Sequence, residues 1–282
     1  MRGYNIAIIG ATGMVGQKVL EVLAERQVVI KNYHLFASAR STGKKVHLLG
    51  KDYLIEELNE QCFDGKEIDI AIFSAGGAIS KKFAPIAVEK GITVIDNSSA
   101  WRMEGDVPLV VPEVNAQAIL SHKGIIANPN CSTIQAVVAL YPLHDKFKIK
   151  RLVYSTYQAV SGAGAGGYND LERGIKGDKQ ELFVHPIFGN CIPHIDEFTD
   201  RGYTKEEIKM IDETKKILDD QSLRITATTV RVPVFHSHSE SINIEFENDF
   251  ELGDIRETLA GAKGIKVIDD PSTNAYPMPI YA

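Results

Sequence analysis

The feature that most restricts the fold of this chain is a short apolar run that ends in a glycine-spaced turn. Asn5-Ile-Ala-Ile-Ile9 leads directly into Gly10-Ala11-Thr12-Gly13-Met14-Val15-Gly16. The bounded run reads as a buried strand, and Met14 to Arg26 carries Val15, Val19, Val22 and Leu23 on one helical face. Strand, glycine turn and helix in that order open a doubly wound sheet. Further short apolar segments follow at His34 to Ala37, Ile68 to Phe73, Thr93 to Ile95 and Gly124 to Ala127, with a helical segment from Ile79 to Lys90. Such alternation requires right-handed crossovers, hence a mostly parallel sheet covered on both faces.

After about residue 148 the pattern changes. Lys150 to Ala159, Arg224 to Val234 and Ser239 to Glu247 are long, rich in β-branched residues and alternate apolar with polar positions. These are marks of an antiparallel sheet with one buried face. Between them lie a loop-rich stretch, Ser161 to His194, and a charged helix, Lys205 to Asp219. The expected fold is α/β: an N-terminal Rossmann-type doubly wound parallel sheet, then an α+β domain built on a mostly antiparallel sheet. The join is placed at the helix after Cys131, itself expected to end near Tyr141-Pro142. Residues 1–130 then form the dinucleotide-binding domain and residues 131–282 the second domain, as a length of 282 residues allows.

Composition narrows the function classes. With 31 Lys+Arg against 37 Asp+Glu, the net charge of −6 lacks the basic surplus of a nucleic-acid binder. A 44% hydrophobic, 24% charged chain has the make-up of a globular protein. No apolar run is long enough to span a bilayer, and Met1 to Ile9 enters a strand without a charged-then-apolar leader. Cys62, Cys131 and Cys191 show no CxxC spacing, which argues against a disulfide framework or a cysteine zinc site. The expectation is a cytoplasmic protein without metal, membrane or nucleic-acid partners.

The turn at Gly10, Ala11, Thr12, Gly13, Met14 and Val15 lets main-chain N–H groups approach a pyrophosphate at a helix N-terminus. Its spacing is GxxGxxG rather than GxGxxG, so its position after the first strand carries the inference. An NAD site usually has a carboxylate at the end of the second strand. This chain has Ser38, Arg40, Ser41 and Lys44 there, which suits a 2′-phosphate and favours NADP. A second small-residue turn, Ser74-Ala75-Gly76-Gly77, follows the strand ending at Phe73 and falls at the same carboxyl edge of the sheet.

Asn128-Pro129-Asn130-Cys131-Ser132-Thr133 lies between a strand and a helix. A cysteine at a helix N-terminus has its thiolate stabilised by the macrodipole, so Cys131 is the candidate nucleophile; Cys62 and Cys191 lack such a setting. The acid/base partner is His236 or His238, between which the local sequence does not choose. No acidic or cysteine cluster completes a metal site around them. Arg102 and Arg231 are candidate anchors for an anionic substrate, since a guanidinium forks onto carboxylate or phosphate.

These motifs, with Val111-Pro-Glu-Val-Asn115, Tyr157 to Gly164, Asn190 to Asp196, Glu206 to Lys209 and Arg231 to Glu240 in the same order, resemble the aspartate-semialdehyde dehydrogenase family. The resemblance implies that Cys131 forms a thioacyl enzyme, that His238 rather than His236 is the acid/base, and that Gln158 orients the reacting carbonyl. It further implies that Arg231 binds the substrate α-carboxylate, that Glu206 takes the α-amino group, and that Arg102 and Lys209 bind phosphate. Asn130 and Ser161 fall with the substrate-binding residues, and Gly162 with those of the cofactor. The implied reaction is NADPH-dependent reductive dephosphorylation of aspartyl phosphate to aspartate semialdehyde and phosphate, serving lysine, threonine and methionine biosynthesis, in a homodimer or higher homo-oligomer.

Two departures from the family pattern stand out. Ser237 occupies a position where the family usually has glycine, which costs roughly 1 kcal/mol if a positive φ is needed there. The sequence stops at Tyr276-Pro-Met-Pro-Ile-Tyr-Ala282, where family members continue into a segment returning to the cofactor domain, so that segment is expected to be missing. The rival enzyme reading is an N-acyl-glutamyl-phosphate reductase. Asn130 before the cysteine and Ser132-Thr133-Ile134-Gln135 after it argue against that, as does Glu206, because an N-acylated substrate has no charged amine. Glyceraldehyde-phosphate dehydrogenase would show a Ser-Cys-Thr-Thr turn. The remaining alternative is a non-catalytic NADP-binding relative.

Overall fold

The computed structural model describes residues 3–281, and its chain divides into two compact units: Met1–Val110 with Gln117–Pro129, and Val111–Ala116 with Asn130–Ala282. The first unit is built on β1 (Tyr4–Ile9), α1 (Met14–Glu25), β2 (Ile30–Ala37), β3 (Lys45–Leu48), β4 (Lys51–Glu57), β5 (Ile70–Phe73), α2 (Gly77–Glu89), β6 (Thr93–Asp96) and β7 (Ile125–Ala127). Its seven-stranded sheet has the order β3-β4-β2-β1-β5-β6-β7. Every pairing is parallel except the β3–β4 hairpin. The strand order reverses beside β1, so the loops after β1 and β5 are neighbours at the carboxyl edge, where open α/β sheets bind ligands. Ile8, Ile9, Phe36 and Phe73 are fully buried, which accounts for the near-continuous apolar runs of the central strands.

The β3–β4 hairpin departs from the expected pattern. Its strands are charged and half-exposed, with Lys45 and His47 against Asp52, so apolar periodicity does not mark them. β4 joins the sheet through Ile55, which pairs with Leu35 of β2 and is buried.

The second unit contains α3 (Pro112–Asn115), α4 (Cys131–Phe147), β8 (Ile149–Gln158), α5 (Gly164–Lys176), α6 (Lys205–Ile217), β9 (Arg224–Arg231), β10 (Ser239–Phe246) and α7 (Leu252–Ala260). Its three-stranded sheet has the order β10-β8-β9. The α+β character is as expected, but only β8–β10 is antiparallel; β8–β9 runs parallel. The segment joining β8 to β9 contains α5 and α6 and is long enough for a crossover, which a parallel pair needs.

α4 runs beyond its expected end at Tyr141-Pro142 to Phe147, with Pro142 inside it. Leu140, Leu143, His144 and Phe147 are buried at helical spacing, and that packing outweighs the hydrogen bond lost at proline. α5 lies in the stretch expected to be loop. Gly164, Gly166 and Gly167 weaken its helical signature, while buried Leu171 and Asp170 anchor it. Asp170 accepts from the amides of Glu181, Leu182 and Phe183, tying down the loop that follows. Among the described residues no helix is long and apolar enough to cross a membrane.

Candidate active site

In the second unit α4 begins at Cys131, and Asn130 is its N-cap, accepting from the amides of Ser132 and Thr133 through Oδ1. Pro129 cannot continue β7 and the cap starts the helix, so the cysteine stands at the N-terminus. Its Sγ is 3.2 Å from His238 Nε2. His238 follows Ser237, whose φ is +67°, immediately before β10. That left-handed residue turns the chain so that the ring faces Cys131. His236, two residues earlier, is exposed and packs against Tyr168. The structure therefore separates two histidines that the local sequence left equivalent.

The end of β8 brings up Gln158, buried, with Nε2 donating to Glu206 Oε1 at 3.0 Å. Asn130 Nδ2 donates to the same oxygen at 2.9 Å, and Lys209 Nζ donates to Glu206 Oε2 at 3.2 Å. Lys209 also meets Asp196 at 2.7 Å. Burial pushes the Glu206 carboxyl up, but Lys209, Asn130 and Gln158 outweigh it and hold the group below the ordinary range. Burial likewise works against the charge on Lys209, and the two carboxylates beside it keep that charge in place.

Arg231 ends β9 and is buried, with Nη1 donating to the Ala159 carbonyl at 2.7 Å. Its Nε is buried with no acceptor among the described residues, a donor set that suits an incoming carboxylate. Gly162 is required for this approach: a Cβ there would lie 2.8 Å from Arg231 Nη1 and 3.5 Å from His238 Nε2. Ser161 lies in the same short turn, its amide donating to the Phe235 carbonyl.

Electrostatics at the thiol run against the simple helix-dipole expectation. Desolvation by the surrounding protein, and then Glu206, push the Cys131 thiol up, although part of the residue is exposed; the Ser132 amide and Arg231 pull less strongly the other way. His238 is pulled down to about 4, by burial first and Arg231 second. Both shifts favour the uncharged forms, a thiol and a neutral imidazole.

Three contributors carry little sequence signal. The Ala159 amide donates to His238 Nδ1 at 2.9 Å. Gln135, one turn along α4 from Cys131, donates to Glu240 Oε1 at 2.7 Å, and burial pushes Glu240 up to about 8. Glu213 Oε2 accepts the main-chain N–H of Asn130 at 2.6 Å.

In the first unit Gly10 has φ +87°, and a Cβ there would lie 2.5 Å from the Ser74 carbonyl oxygen. Glycine thus lets the Gly10–Val15 turn and the Ser74-Ala75-Gly76 turn meet. The amides of Gly10 and Ala11 are taken by the Phe36 carbonyl, and among the described residues no side chain caps α1 at Gly13, a helix start that suits an anion. Ser38, Arg40 and Ser41 lie at the end of β2, with Arg40 exposed and Thr12 Oγ1 3.5 Å from Ser41 Oγ. The glycine cradle, the uncapped helix and the hydroxyl-and-guanidinium set without a carboxylate fit a dinucleotide bearing a 2′-phosphate. Arg102 is buried in this unit, Nε donating to the Asn128 carbonyl at 2.9 Å and Nη2 to the Asn97 carbonyl at 3.1 Å.

Residues 5–122 match the family profile described as semialdehyde dehydrogenase, NAD binding domain, and residues 140–282 that described as semialdehyde dehydrogenase, dimerisation domain. An aspartate-semialdehyde dehydrogenase of Aquifex aeolicus is 53% identical over 99% of this chain and 85% of its own. The chain belongs to the aspartate-semialdehyde dehydrogenase family. It is thereby an oxidoreductase. A crystal structure of aspartate semialdehyde dehydrogenase II from Vibrio cholerae, complexed with ASA, matches with a TM-score of 0.89 at 44% identity, covering 94% of this chain and 81% of that one. The Candida albicans aspartate semialdehyde dehydrogenase with NADP matches with a TM-score of 0.73 at 28% identity, covering 92% and 76%.

Proposed function

We propose that this member of the aspartate-semialdehyde dehydrogenase family reduces aspartyl phosphate to aspartate semialdehyde through a thioacyl group on Cys131. The observation that carries the proposal is the Cys131 Sγ–His238 Nε2 contact of 3.2 Å, beside Glu206 and Arg231. The Cys131 thiol gives up its proton, which the departing phosphate carries away, and the sulfur attacks the acyl carbon; the C–S bond forms, the C–O bond to phosphate breaks, and hydrogen phosphate leaves. NADPH, when bound, supplies the hydride that reduces the acyl group. Gln158 orients the reacting carbonyl, and the Nε2–H of His238 donates to the oxyanion as charge develops. Collapse of that oxyanion breaks the C–S bond and returns the sulfur.

Arg231, whose buried Nε has no acceptor among the described residues, takes the α-carboxylate. Glu206 takes the α-ammonium and Lys209 the phosphate, with Asn130 and Ser161 completing the substrate-binding set. In the first unit Gly10, Ala11, Thr12, Gly13, Met14 and Val15, with Ser74, Ala75 and Gly76, would hold the pyrophosphate half of NADP. Ser38, Arg40 and Ser41 would hold its 2′-phosphate; Arg102 is proposed as an anchor for the substrate's phosphate and Gly162 as a cofactor residue. The NADP named for the Candida albicans relative and the ASA named for the Vibrio cholerae one support this reading. The dimerisation-domain match supports a homo-oligomer, and the sparse cysteines a reducing cytoplasm. Lysine, threonine and methionine biosynthesis is the setting that such a product serves.

The test is the reverse reaction: L-aspartate semialdehyde with NADP, following NADPH absorbance with and without inorganic phosphate. Reduction that requires phosphate, and that Cys131→Ala abolishes, is expected. Turnover independent of phosphate or of Cys131 would remove the thioacyl mechanism.

A further inference from the structure

Helix α6 reads as a solvated, charged helix, yet Glu206 and Glu213 are both buried, and both hold the same residue. About two turns apart on one face, they meet Asn130 at different atoms: Glu206 Oε1 accepts from its side-chain Nδ2, and Glu213 Oε2 from its main-chain N–H at 2.6 Å. Asn130 Oδ1 caps α4, and its carbonyl accepts from the Ile134 amide. The residue immediately before Cys131 is therefore held at every polar group it has.

The two carboxylates differ in what can reach them. Glu206 shares its oxygens with Gln158 and Lys209 and is the group proposed to meet substrate, so its hold on Asn130 changes when a ligand ammonium arrives. Glu213 is 1% exposed, and its contact with the Asn130 amide is out of a ligand's reach. A buried acceptor set against the main chain fixes where the turn lies rather than how a side chain lies upon it.

We propose that Glu213 is a positioning residue for the nucleophile: by accepting the Asn130 N–H it sets the place of Cys131 at the start of α4, opposite His238. The proposal rests on the reading of Cys131 as nucleophile. What matters is an acceptor at the reach of Glu213. Its carboxylate charge is not required.

The test uses the full chain carrying Cys191→Ser, which leaves Cys131 as the accessible thiol because Cys62 is buried. The rate of Cys131 alkylation by iodoacetamide is measured across pH for Glu213→Gln, Glu213→Met and Glu213→Asp, with kcat, KM and melting temperature alongside. Gln keeps an acceptor at the same reach and should stay within about threefold of the parent. Met fills a similar volume without an acceptor and should lose about tenfold or more in alkylation rate and in kcat, with KM little changed, as expected for one missing buried hydrogen bond. Asp, a methylene short, should fall with Met and stands in for it if Met does not fold. A folded Met or Asp variant with the parent's alkylation profile, whatever its melting temperature, overturns the proposal. So does a Gln variant as slow as Met, since charge would then be the requirement. Because alkylation does not depend on turnover, a Cys131→Ala enzyme that still turned over would sink the nucleophile reading separately.

Discussion

The main-chain N–H of Ala159 donates to His238 Nδ1 at 2.9 Å while Nε2 of the same ring stands 3.2 Å from Cys131 Sγ. A ring nitrogen that accepts an amide N–H carries no proton, so the neutral imidazole bears its hydrogen on Nε2, toward the sulfur. Adding a second proton would set Nδ1–H against the Ala159 N–H, which acts in the same direction as burial and Arg231 in pulling the group down to about 4. Histidine-selective 15N NMR should show the Nε2–H tautomer at neutral pH and a protonation midpoint near 4. The folded value lies below the unfolded one, so this ring's contribution to stability is full above about pH 6.5 and is lost as pH falls toward the folded value. A midpoint at the ordinary histidine value would discard the assignment.

A ring that works as an Nε2–H donor can be partly replaced by an amide of the right reach. His238→Gln places an N–H near the Nε2 position, whereas the amide of His238→Asn stops near Nδ1. Asn should cost about 100- to 10,000-fold in kcat, the usual contribution of a positioned acid/base group, and Gln clearly less. His236→Asn should stay within a few-fold, since that ring is exposed against Tyr168. Equal losses for Gln and Asn would mean that His238 must take a proton, which an amide cannot do.

What could be read from residues alone follows physical lines. Pro129 and Asn130 announce the Cys131 turn because a strand-breaker and a helix cap act on their immediate neighbours, and the short apolar strands of the first unit show their burial in composition. Glu206 became legible only through the family resemblance, and Glu213 not at all. A carboxylate on a charged helix looks solvated until the donors that justify its burial arrive from far along the chain, here Asn130. The Ala159 amide is invisible in principle, because every residue other than proline has one. Helix α5 was lost for another reason: its glycines carry poor helix propensity, and the tertiary contacts of Leu171 and Asp170 override it.

Ser237 adopts φ +67° where the family pattern usually has glycine. An L-residue in the left-handed region carries a strain of about 1–2 kcal/mol, partly offset because glycine loses more backbone entropy on folding. Ser237→Gly should therefore stabilise the second unit by up to about 1 kcal/mol, a rise of about 2–4 °C in melting temperature, with kcat unchanged or higher. Calorimetry checks it. An unchanged or lowered melting temperature would show that this backbone is not strained by serine.

Glu206 is the second-largest influence pushing the Cys131 thiol up, after desolvation. Removing its charge should ease ionisation, because a neutral neighbour no longer opposes the thiolate. In Glu206→Gln the pH profile of Cys131 alkylation should move to lower pH, so alkylation at neutral pH speeds up. In the same variant kcat/KM should fall, because the proposed ammonium partner is gone. These opposite signs tie Glu206 to both roles: a substrate ammonium that neutralises it would promote the thiolate only once the site is filled. A profile that stayed in place or moved to higher pH would break that link.

The proposed preference for NADP rests on the end of β2, where Ser38, Arg40 and Ser41 stand in place of a carboxylate that would bind ribose hydroxyls. Arg40 is exposed, so reversing its charge should leave the fold intact, and its effect should be confined to a ligand bearing negative charge beside it. Arg40→Glu should weaken NADPH by about tenfold or more, through loss of a charge-assisted contact and gain of a like-charge one. NADH, which has no 2′-phosphate, should be affected little. Raising ionic strength should narrow the gap between variant and parent for NADPH, as screening predicts for an exposed pair. Fluorescence titration of both nucleotides against both proteins measures it, and equal losses for NADH and NADPH would remove Arg40 from 2′-phosphate recognition.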